Sequence, residues 1–167
     1  MSEKLAAVVL GHRNSGKSTT WNTLFQRTVR TGSYQRELMF NRCESAWVFL
    51  VSGSPEERET HIGKIIADEN PSIILSSLQY RDDVVESFQY FKAKGYQLYV
   101  QWINPGFSDD SKNDDTLGLI EKLLSWGATV KVVDGKAPPE QRARELRNFV
   151  YGWAKPRELV AEVPGWA

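Results

Sequence analysis

The sequence is poor in the features that mark secreted, membrane-bound and nucleic-acid-binding proteins. Its single cysteine, Cys43, cannot form an internal disulfide, which suits a reducing compartment. Its 21 basic and 21 acidic residues cancel, so the overall charge does not indicate a nucleic acid or an anionic membrane surface as a partner. No run approaches the roughly 20 apolar residues of a membrane span, and the first residues lack the layout of a signal peptide. These absences predict a soluble, cytoplasmic protein.

Internal repeats and low-complexity tracts are also absent, and the chain instead alternates short apolar runs with helical patterns. Runs typical of strands lie at 5–10, 36–42, 46–51, 72–77, 96–103 and 128–133. Helical patterns lie between them at 17–27, 56–69, 81–94, 113–126 and 138–153. This alternation predicts an α/β fold whose mainly parallel sheet is covered by helices on both faces. We assign residues 1–155 to one domain and residues 156–167 to an irregular C-terminal tail.

The segment GHRNSGKS, residues 11–18, fits the complete phosphate-loop pattern G-x-x-x-x-G-K-[ST] between a predicted strand and a predicted helix. The two glycines permit backbone conformations that a β-carbon would hinder. Successive N–H groups then form a concave nest for phosphate oxygens, reinforced by the positive end of the following helix. A glycine loop that only turns the chain is the alternative, and the complete pattern in the right context favours phosphate binding.

The motif names a first set of candidate site residues. Lys17, the candidate catalytic residue, would reach the β- and γ-phosphates, and the Ser18 hydroxyl would bind Mg²⁺. The predicted nucleotide-binding residues of the loop are Gly11, His12, Arg13, Asn14, Ser15, Gly16, Lys17, Ser18 and Thr19.

A short connection suggests a class of P-loop protein. Only residues 43–45 separate the runs at 36–42 and 46–51, and a link that short joins antiparallel neighbours. One antiparallel strand in an otherwise parallel sheet, just after the P-loop helix, resembles the Ras-like GTPase domain, as far as about residue 153. Residues 11–25, GHRNSGKSTTWNTLF, are also similar to the phosphate loops of bacterial ribosome-assembly and translation-factor GTPases. The resemblance implies a six-stranded P-loop NTPase sheet, bound Mg²⁺ and GTP, and regulation by a protein partner.

The chain departs from that family where the base and the metal are recognised. The family's D-x-x-G motif is replaced by Ser-Gly-Ser-Pro at 52–55, and its N-K-x-D motif by Asn-Pro-Gly-Phe at 104–107. Its last base loop is echoed at best by residues 134–137, Asp-Gly-Lys-Ala. The predicted base contacts are therefore Asn104, Asp134 and Gly135, and the ligand is GTP or ATP. For the lost carboxylate, Glu56, Glu57 or Glu59 either substitutes or belongs to the acidic first turn of the next helix.

Several further residues have two interpretations. Thr31, like Thr28, is either the switch threonine that closes over Mg²⁺ or part of an ordinary polar loop. The resemblance implies K⁺ beside Asn14, unless that residue only shapes the loop. Trp21 is placed to approach the nucleotide or a partner surface.

Histidines, arginines and the remaining tryptophans give weaker signals. His12 and His61 have no neighbours in metal-ligand spacing, so a zinc site is unsupported. The arginines at 142, 144 and 147 either clamp phosphates or form a solvated face paired with Glu140 and Glu145. Trp47 and Trp102 are expected in the core.

Three functions fit these residues. The first is a nucleotide-binding protein resembling a small GTPase, whose Mg²⁺-dependent hydrolysis is slow or stimulated by a partner, because no residue is identifiable that would orient the attacking water. The second is a pseudo-GTPase interaction module. The third is a P-loop small-molecule kinase, although the strand at 72–77 ends without an acidic residue to orient an acceptor. The oligomeric state is not indicated.

Overall fold

A computed structural model describes residues 3–164; residues 1–2 of the predicted domain and residues 165–167 of the predicted tail lie outside the described residues. The strands are β1 (Lys4–Gly11), β2 (Arg36–Met39), β3 (Glu44–Val51), β4 (Ile73–Gln79), β5 (Tyr96–Ile103), β6 (Thr129–Val133) and β7 (Ala161–Glu162). The helices are α1 (Lys17–Phe25), α2 (Ile62–Ile66), α3 (Val84–Ala93), α4 (Leu119–Ser125) and α5 (Glu140–Ala154), followed by a 3-10 helix at Lys155–Arg157.

The strands form one sheet in the order β2-β3-β4-β1-β5-β6, with β7 paired to β3. β3, β4, β1, β5 and β6 are parallel, whereas β2 and β7 run antiparallel to β3. The predicted α/β fold, with its mostly parallel sheet and the antiparallel hairpin strand, is confirmed. The prediction of an irregular tail is wrong at residues 161–162. β4 pairs only with residues 49–51 of β3, so the start of β3 is left for β7 to pair with.

Helices cover both faces of the sheet, as predicted. The fully buried residues of β1 alternate between two cores, Ala6, Val8 and Leu10 in one and Leu5, Ala7 and Val9 in the other, because successive strand residues point to opposite faces. Helices α2, α3 and α4 pack in the first core, and α1 and α5 pack in the second. β1 is therefore central, and the loop that follows it lies in the middle of the edge where the parallel strands end.

Two helices are shorter than the sequence predicts. α2 starts only after His61, whose Nδ1 accepts a hydrogen bond from Gly63 N at 3.0 Å, and residues 55–59 form a turn instead. α4 starts after Gly118, whose φ of 62° interrupts the pattern predicted from residue 113. The turn at 55–59 matters for the site, because it brings two carboxylates to the end of β4 and to the phosphate loop.

One of the two tryptophans predicted to be buried lies on the surface. Trp47 was expected in the core with Trp102, yet 57% of its surface is exposed, whereas Trp102 is buried. Its partner across the hairpin is Glu37, on the face of the edge strand β2 opposite to Leu38, which packs in the second core with α1 and α5. Among residues 3–164, no helix is both long and apolar enough to span a bilayer.

Candidate phosphate-binding site

The loop between β1 and α1 has the backbone shape that the motif predicts. Gly16 has φ of 109° and directly precedes the first residue of α1, so its missing β-carbon is required there. Asn14 has φ of 59°, a left-handed conformation that asparagine tolerates better than most residues. Two left-handed residues in one short loop turn successive N–H groups toward a common side.

The beginning of α1 offers free donors. Within residues 3–164, the backbone N–H groups of Gly16, Lys17 and Ser18 donate no hydrogen bond, and the Ser18 side chain is exposed. The helix dipole adds positive potential at the same place. This combination of free amides and positive potential is the general requirement for binding a phosphate.

Lys17 is held close to the loop. Its side chain is 7% exposed, and its Nζ donates to the carbonyl oxygens of His12 at 2.8 Å and Gly11 at 3.2 Å. Burial lowers the pKa of Lys17, and the carboxylate of Glu57, whose Oε1 lies 3.6 Å from Nζ, raises it. The ammonium is thus partly desolvated next to the free amides, and a phosphate would replace the weak carbonyl contacts with a charged partner.

The loop forms one end of a cavity of about 850 Å³. Residues from five segments line it: 13–19 of the phosphate loop, 52–54 and 57 after β3, 107–108 after β5, 135–139 after β6, and 142 in α5. These segments all follow the carboxyl ends of parallel strands or lie in the adjoining helix, which is where open α/β sheets bind ligands. Seven of the nine predicted phosphate-loop residues line this cavity, together with Gly135. Gly11 and His12 lie behind it and accept the Lys17 contacts.

The loops after β5 and β6 pack directly on the phosphate loop. Phe107 N donates to Ser15 O at 2.9 Å, and Gly135 N donates to Pro105 O at 2.8 Å. A β-carbon on Gly106 would lie 2.6 Å from Ser15 Cβ, and one on Gly135 would lie 2.7 Å from Ser15 O. Only glycine fits at either position, and this allows the loops after β5 and β6 to lie directly against the phosphate loop.

Arg142 is the main functional candidate that sequence reasoning placed wrongly. Its guanidinium is buried rather than solvated, lines the cavity, and donates from Nε to Thr20 Oγ1 at 2.9 Å and from Nη2 to Gly16 O at 3.3 Å. Burial lowers its pKa. Arg147 donates to Leu24 O at 2.8 Å, at the other end of α1. The expected pairing with Glu140 and Glu145 is wrong: in the described part of the chain none of these arginines forms a salt bridge.

The turn after β3 supplies the acidic groups. Glu56 is 5% exposed, and its carboxylate accepts from Gln79 N at 2.7 Å and from Ser87 Oγ at 3.0 Å. Burial raises the pKa of Glu56 to about 7, against the effect of these hydrogen bonds. Glu57 points to Lys17, and Ser54 Oγ is buried without a partner among residues 3–164. The interpretation of this segment as the first turn of a helix is wrong, and both carboxylates have specific tertiary positions instead.

Three predicted site residues lie away from the cavity lining. The Asn104 amide is buried and bonds the backbone of Asn113 with both of its ends, at 2.7 and 2.8 Å. Asp134 accepts from Lys136 N at 2.8 Å and shapes its own loop. Thr31 Oγ1 accepts from Ser52 N at 2.9 Å and Gly53 N at 3.3 Å, so it anchors the end of β3. All three side chains are engaged within the protein.

The remaining aromatic and metal candidates are also placed. Trp21 is fully buried in the core and donates from Nε1 to Ser77 Oγ at 2.7 Å, so it faces neither the cavity nor a partner surface. His12 packs against Tyr80, with ring centroids 5.2 Å apart. In residues 3–164 no three His, Cys, Asp or Glu side chains converge as a metal site.

Comparisons with known proteins identify no relative by sequence. No protein-family model matches the chain, and no curated protein matches it. Among solved structures it is similar to the solution NMR structure of a de novo designed protein with a P-loop NTPase fold, at 17% identity and a TM-score of 0.48, over 92% of this chain and 96% of the design. A likeness of that degree carries no information about ligand or reaction.

Proposed function

We propose that the protein binds a nucleoside triphosphate with Mg²⁺ at the phosphate loop and hydrolyses it slowly or only with a protein partner. The observation that carries this proposal is the start of α1. Its free Gly16, Lys17 and Ser18 amides and the Lys17 ammonium face one cavity of about 850 Å³, a volume in the range of small-ligand sites.

The protein's own groups account for the binding of a polyanion. The amides and Lys17 supply donors to phosphate oxygens, and Arg142 adds a second fixed positive charge beneath the loop. Ser54 Oγ, buried on the cavity wall without a partner among the described residues, offers one more donor. Because these groups are already in place before a ligand arrives, little reorganisation is needed on binding.

The available oxygen ligands fit Mg²⁺. Mg²⁺ prefers oxygen donors, keeps several waters and uses one or two protein groups besides the phosphates. The exposed Ser18 hydroxyl and the Glu57 carboxylate, which is 39% exposed, are such groups at the phosphate end of the cavity. Glu57 would then take the part of the lost strand-tip carboxylate. A role for Thr31 would require its hydroxyl to release the backbone of Ser52 and Gly53.

The proposal includes two more specific points, which are that the protein is of the Ras-like class and that K⁺ binds beside the phosphate loop. The antiparallel hairpin of β2 and β3 supports the Ras-like class. β4 lies between β1 and β3 in the sheet, so the turn after β3 reaches the phosphate loop across the end of β4. The left-handed backbone of Asn14 supports a loop-shaping role as well as K⁺ placement. Hydrolysis would be slow because no side chain on the cavity wall, within residues 3–164, combines the position and chemistry of a water-orienting glutamine.

Lys17→Ala tests the proposal. Thermal unfolding is followed with ATP, GTP, ADP and GDP, with and without Mg²⁺; a ligand at 100 times its Kd stabilises by about 2.7 kcal/mol, or roughly 5–10 °C for a chain of this size. The wild type should show this shift and Lys17→Ala should lose it. Lys131→Ala, an exposed lysine on the edge strand β6, is the matched control and should keep it.

Two outcomes would change the proposal. Equal nucleotide shifts for Lys17→Ala and the wild type would contradict phosphate binding at this loop. Binding that depends on Lys17, with no phosphate release even in the presence of a cellular extract, would favour the pseudo-NTPase over the slow hydrolase.

A further inference from the structure

Phe107 is an exposed aromatic residue on the wall of the cavity. Its surface is 66% exposed, and it lies four residues after Ile103, the buried last residue of β5. An aromatic ring exposed on a loop that lines a cavity is a common mark of a binding surface. Ala137, Pro138 and Pro139 line the same cavity and add apolar surface to it.

The backbone of Phe107 is held against the phosphate loop. The Phe107 amide donates to Ser15 O at 2.9 Å, and its carbonyl accepts from Lys136 Nζ at 3.1 Å. The absence of β-carbons at Gly106 and Gly135 lets the two loops pack closely on Ser15. The exposed Phe107 ring therefore adjoins the same cavity as the phosphate loop.

Three polar side chains of the loops after β5 and β6 already bond within the protein. Asp109 Oδ2 accepts from Gly106 N at 2.8 Å and from Asn113 Nδ2 at 2.9 Å. Asp134 caps Lys136, and the Asn104 amide bonds Asn113 with both of its ends. The Phe107 ring is the apolar face that this wall offers to a flat ring, next to the exposed side chains of Ser108 and Lys136.

We propose that Phe107 stacks on the base of the bound nucleotide, with Pro138 and Pro139 on the other side, and that the site therefore takes adenine and guanine alike. This inference rests on the proposed function, because it assigns the second half of the same ligand. Stacking is tolerant of base identity since every base presents a π face, whereas a site built on hydrogen bonds to the base edge would discriminate.

The test compares ligands with and without a base. Affinities of ATP, GTP and inorganic tripolyphosphate, each with Mg²⁺, are measured by calorimetry for the wild type, Phe107→Ala and Phe107→Tyr. Phe107→Ala should weaken ATP and GTP about tenfold each and leave tripolyphosphate unchanged, while Phe107→Tyr should bind all three like the wild type. Tyr34→Ala, which removes a 77% exposed aromatic side chain outside the cavity lining, should have no effect on any ligand.

The outcomes separate this inference from the proposed function. If tripolyphosphate and both nucleotides bind with equal affinity, or if Phe107→Ala leaves ATP and GTP unchanged, the stacking role is wrong while the phosphate site stands. A loss confined to GTP would show that the base edge is read, and would overturn the stacking role as well. If none of the three ligands binds the wild type, the proposed function itself fails.

Discussion

The loop after β1 and the turn after β3 follow buried parallel strands and reach the same cavity, yet they present their chemistry in opposite ways. The loop uses its backbone: the amides of 16–18 are aimed by the left-handed Gly16 and by the helix that follows. The turn uses side chains: Glu56 points inward to the end of β4 and to α3, and its neighbour Glu57 points to Lys17. The loop keeps every residue of a known motif, and the turn keeps none.

The difference shows which kind of site can be recognised from sequence spacing. A nest of amides depends on residues that are consecutive in the chain, so a short pattern fixes its geometry. The direction of Glu56 and Glu57 depends instead on contacts with Gln79, Ser87 and Lys17, which come from three other segments. The loop is therefore expected to keep its shape under changes that displace the turn.

Replacing Arg142 tests whether the geometry of the phosphate loop depends only on the residues of the loop itself. Of the changes in free energy predicted here, we expect this variant to show the largest. Arg142→Ala removes charged hydrogen bonds to Thr20 Oγ1, Gly16 O and Ala137 O. A charged hydrogen bond of good geometry contributes about 1.5–3 kcal/mol, but two of these three are 3.3 Å long. We therefore expect a loss of about 3–4 kcal/mol in the free energy of unfolding, measured in urea. Nucleotide affinity should fall in the same variant.

Arg144→Ala is the matched control for Arg142→Ala. Arg144 lies on the same helix, carries the same charge and is exposed, so its removal should change stability by less than about 0.5 kcal/mol. Arg142→Lys should recover only part of the stability, since lysine lacks the planar fork. An Arg142→Ala variant as stable as the Arg144 variant would show that the loop holds its shape without α5.

The fold was largely predictable because its signals are local. Alternating apolar runs and helical patterns gave all six main strands, and the short link at 43–45 gave the antiparallel hairpin. What local patterns could not predict is where each strand lies in the sheet. β4 sits between β1 and β3, and residues 161–162 pair with the start of β3, which β4 leaves unpaired.

The site was predictable only where it is built from the backbone. Arg142 looked like one of three solvent-facing arginines, because helical spacing does not show that Thr20 and Gly16 lie beneath one of them. Asn104 and Asp134 matched remnants of base-reading motifs, yet their side chains bond to nearby backbone groups. Phe107 ends the segment that replaces the family's N-K-x-D motif, but that pattern gives no role to a phenylalanine, and the proposed stacking role rests on its place on the cavity wall.

The ionisation of Glu56 allows the turn after β3 to be perturbed by pH, without a substitution in the phosphate loop. Burial, and to a smaller extent the charge of Asp83, raise the pKa of its carboxyl from an ordinary 4.5 to about 7. The folded protein thus holds this proton more tightly than the unfolded chain. The free energy of unfolding should therefore fall as pH rises from about 4.5 to about 7, by about 2–3 kcal/mol, and this contribution stays constant above pH 7.

Glu56→Gln isolates this contribution to the pH dependence. Glutamine can still accept from Gln79 N and has an NH₂ group to donate to Ser87 Oγ, but it does not ionise. Urea unfolding at pH 5 and pH 8 should show a variant that resembles the wild type at pH 5 and exceeds its stability at pH 8. Glu59→Gln, an exposed change in the same turn, should keep the wild-type pH profile. A wild-type profile in Glu56→Gln as well would rule out Glu56 as the titrating group.

Glu57→Gln is expected to have the smallest effect on free energy among these variants. It separates a role of the turn in binding Mg²⁺ from the role of the phosphate loop in binding phosphates. If Glu57 helps to hold Mg²⁺, its loss should reduce the Mg²⁺-dependent gain in ATP affinity about tenfold, or about 1.4 kcal/mol. Without Mg²⁺ the same variant should bind ATP as tightly as the wild type or more tightly, because a carboxylate 3.6 Å from Lys17 Nζ competes with the phosphates for that ammonium. Titrations with and without Mg²⁺ separate the two effects, and Glu59→Gln again serves as the control for a lost charge. A variant that keeps the full Mg²⁺ dependence would leave the turn without a metal role, and the amides and Lys17 of the phosphate loop would carry the ligand alone.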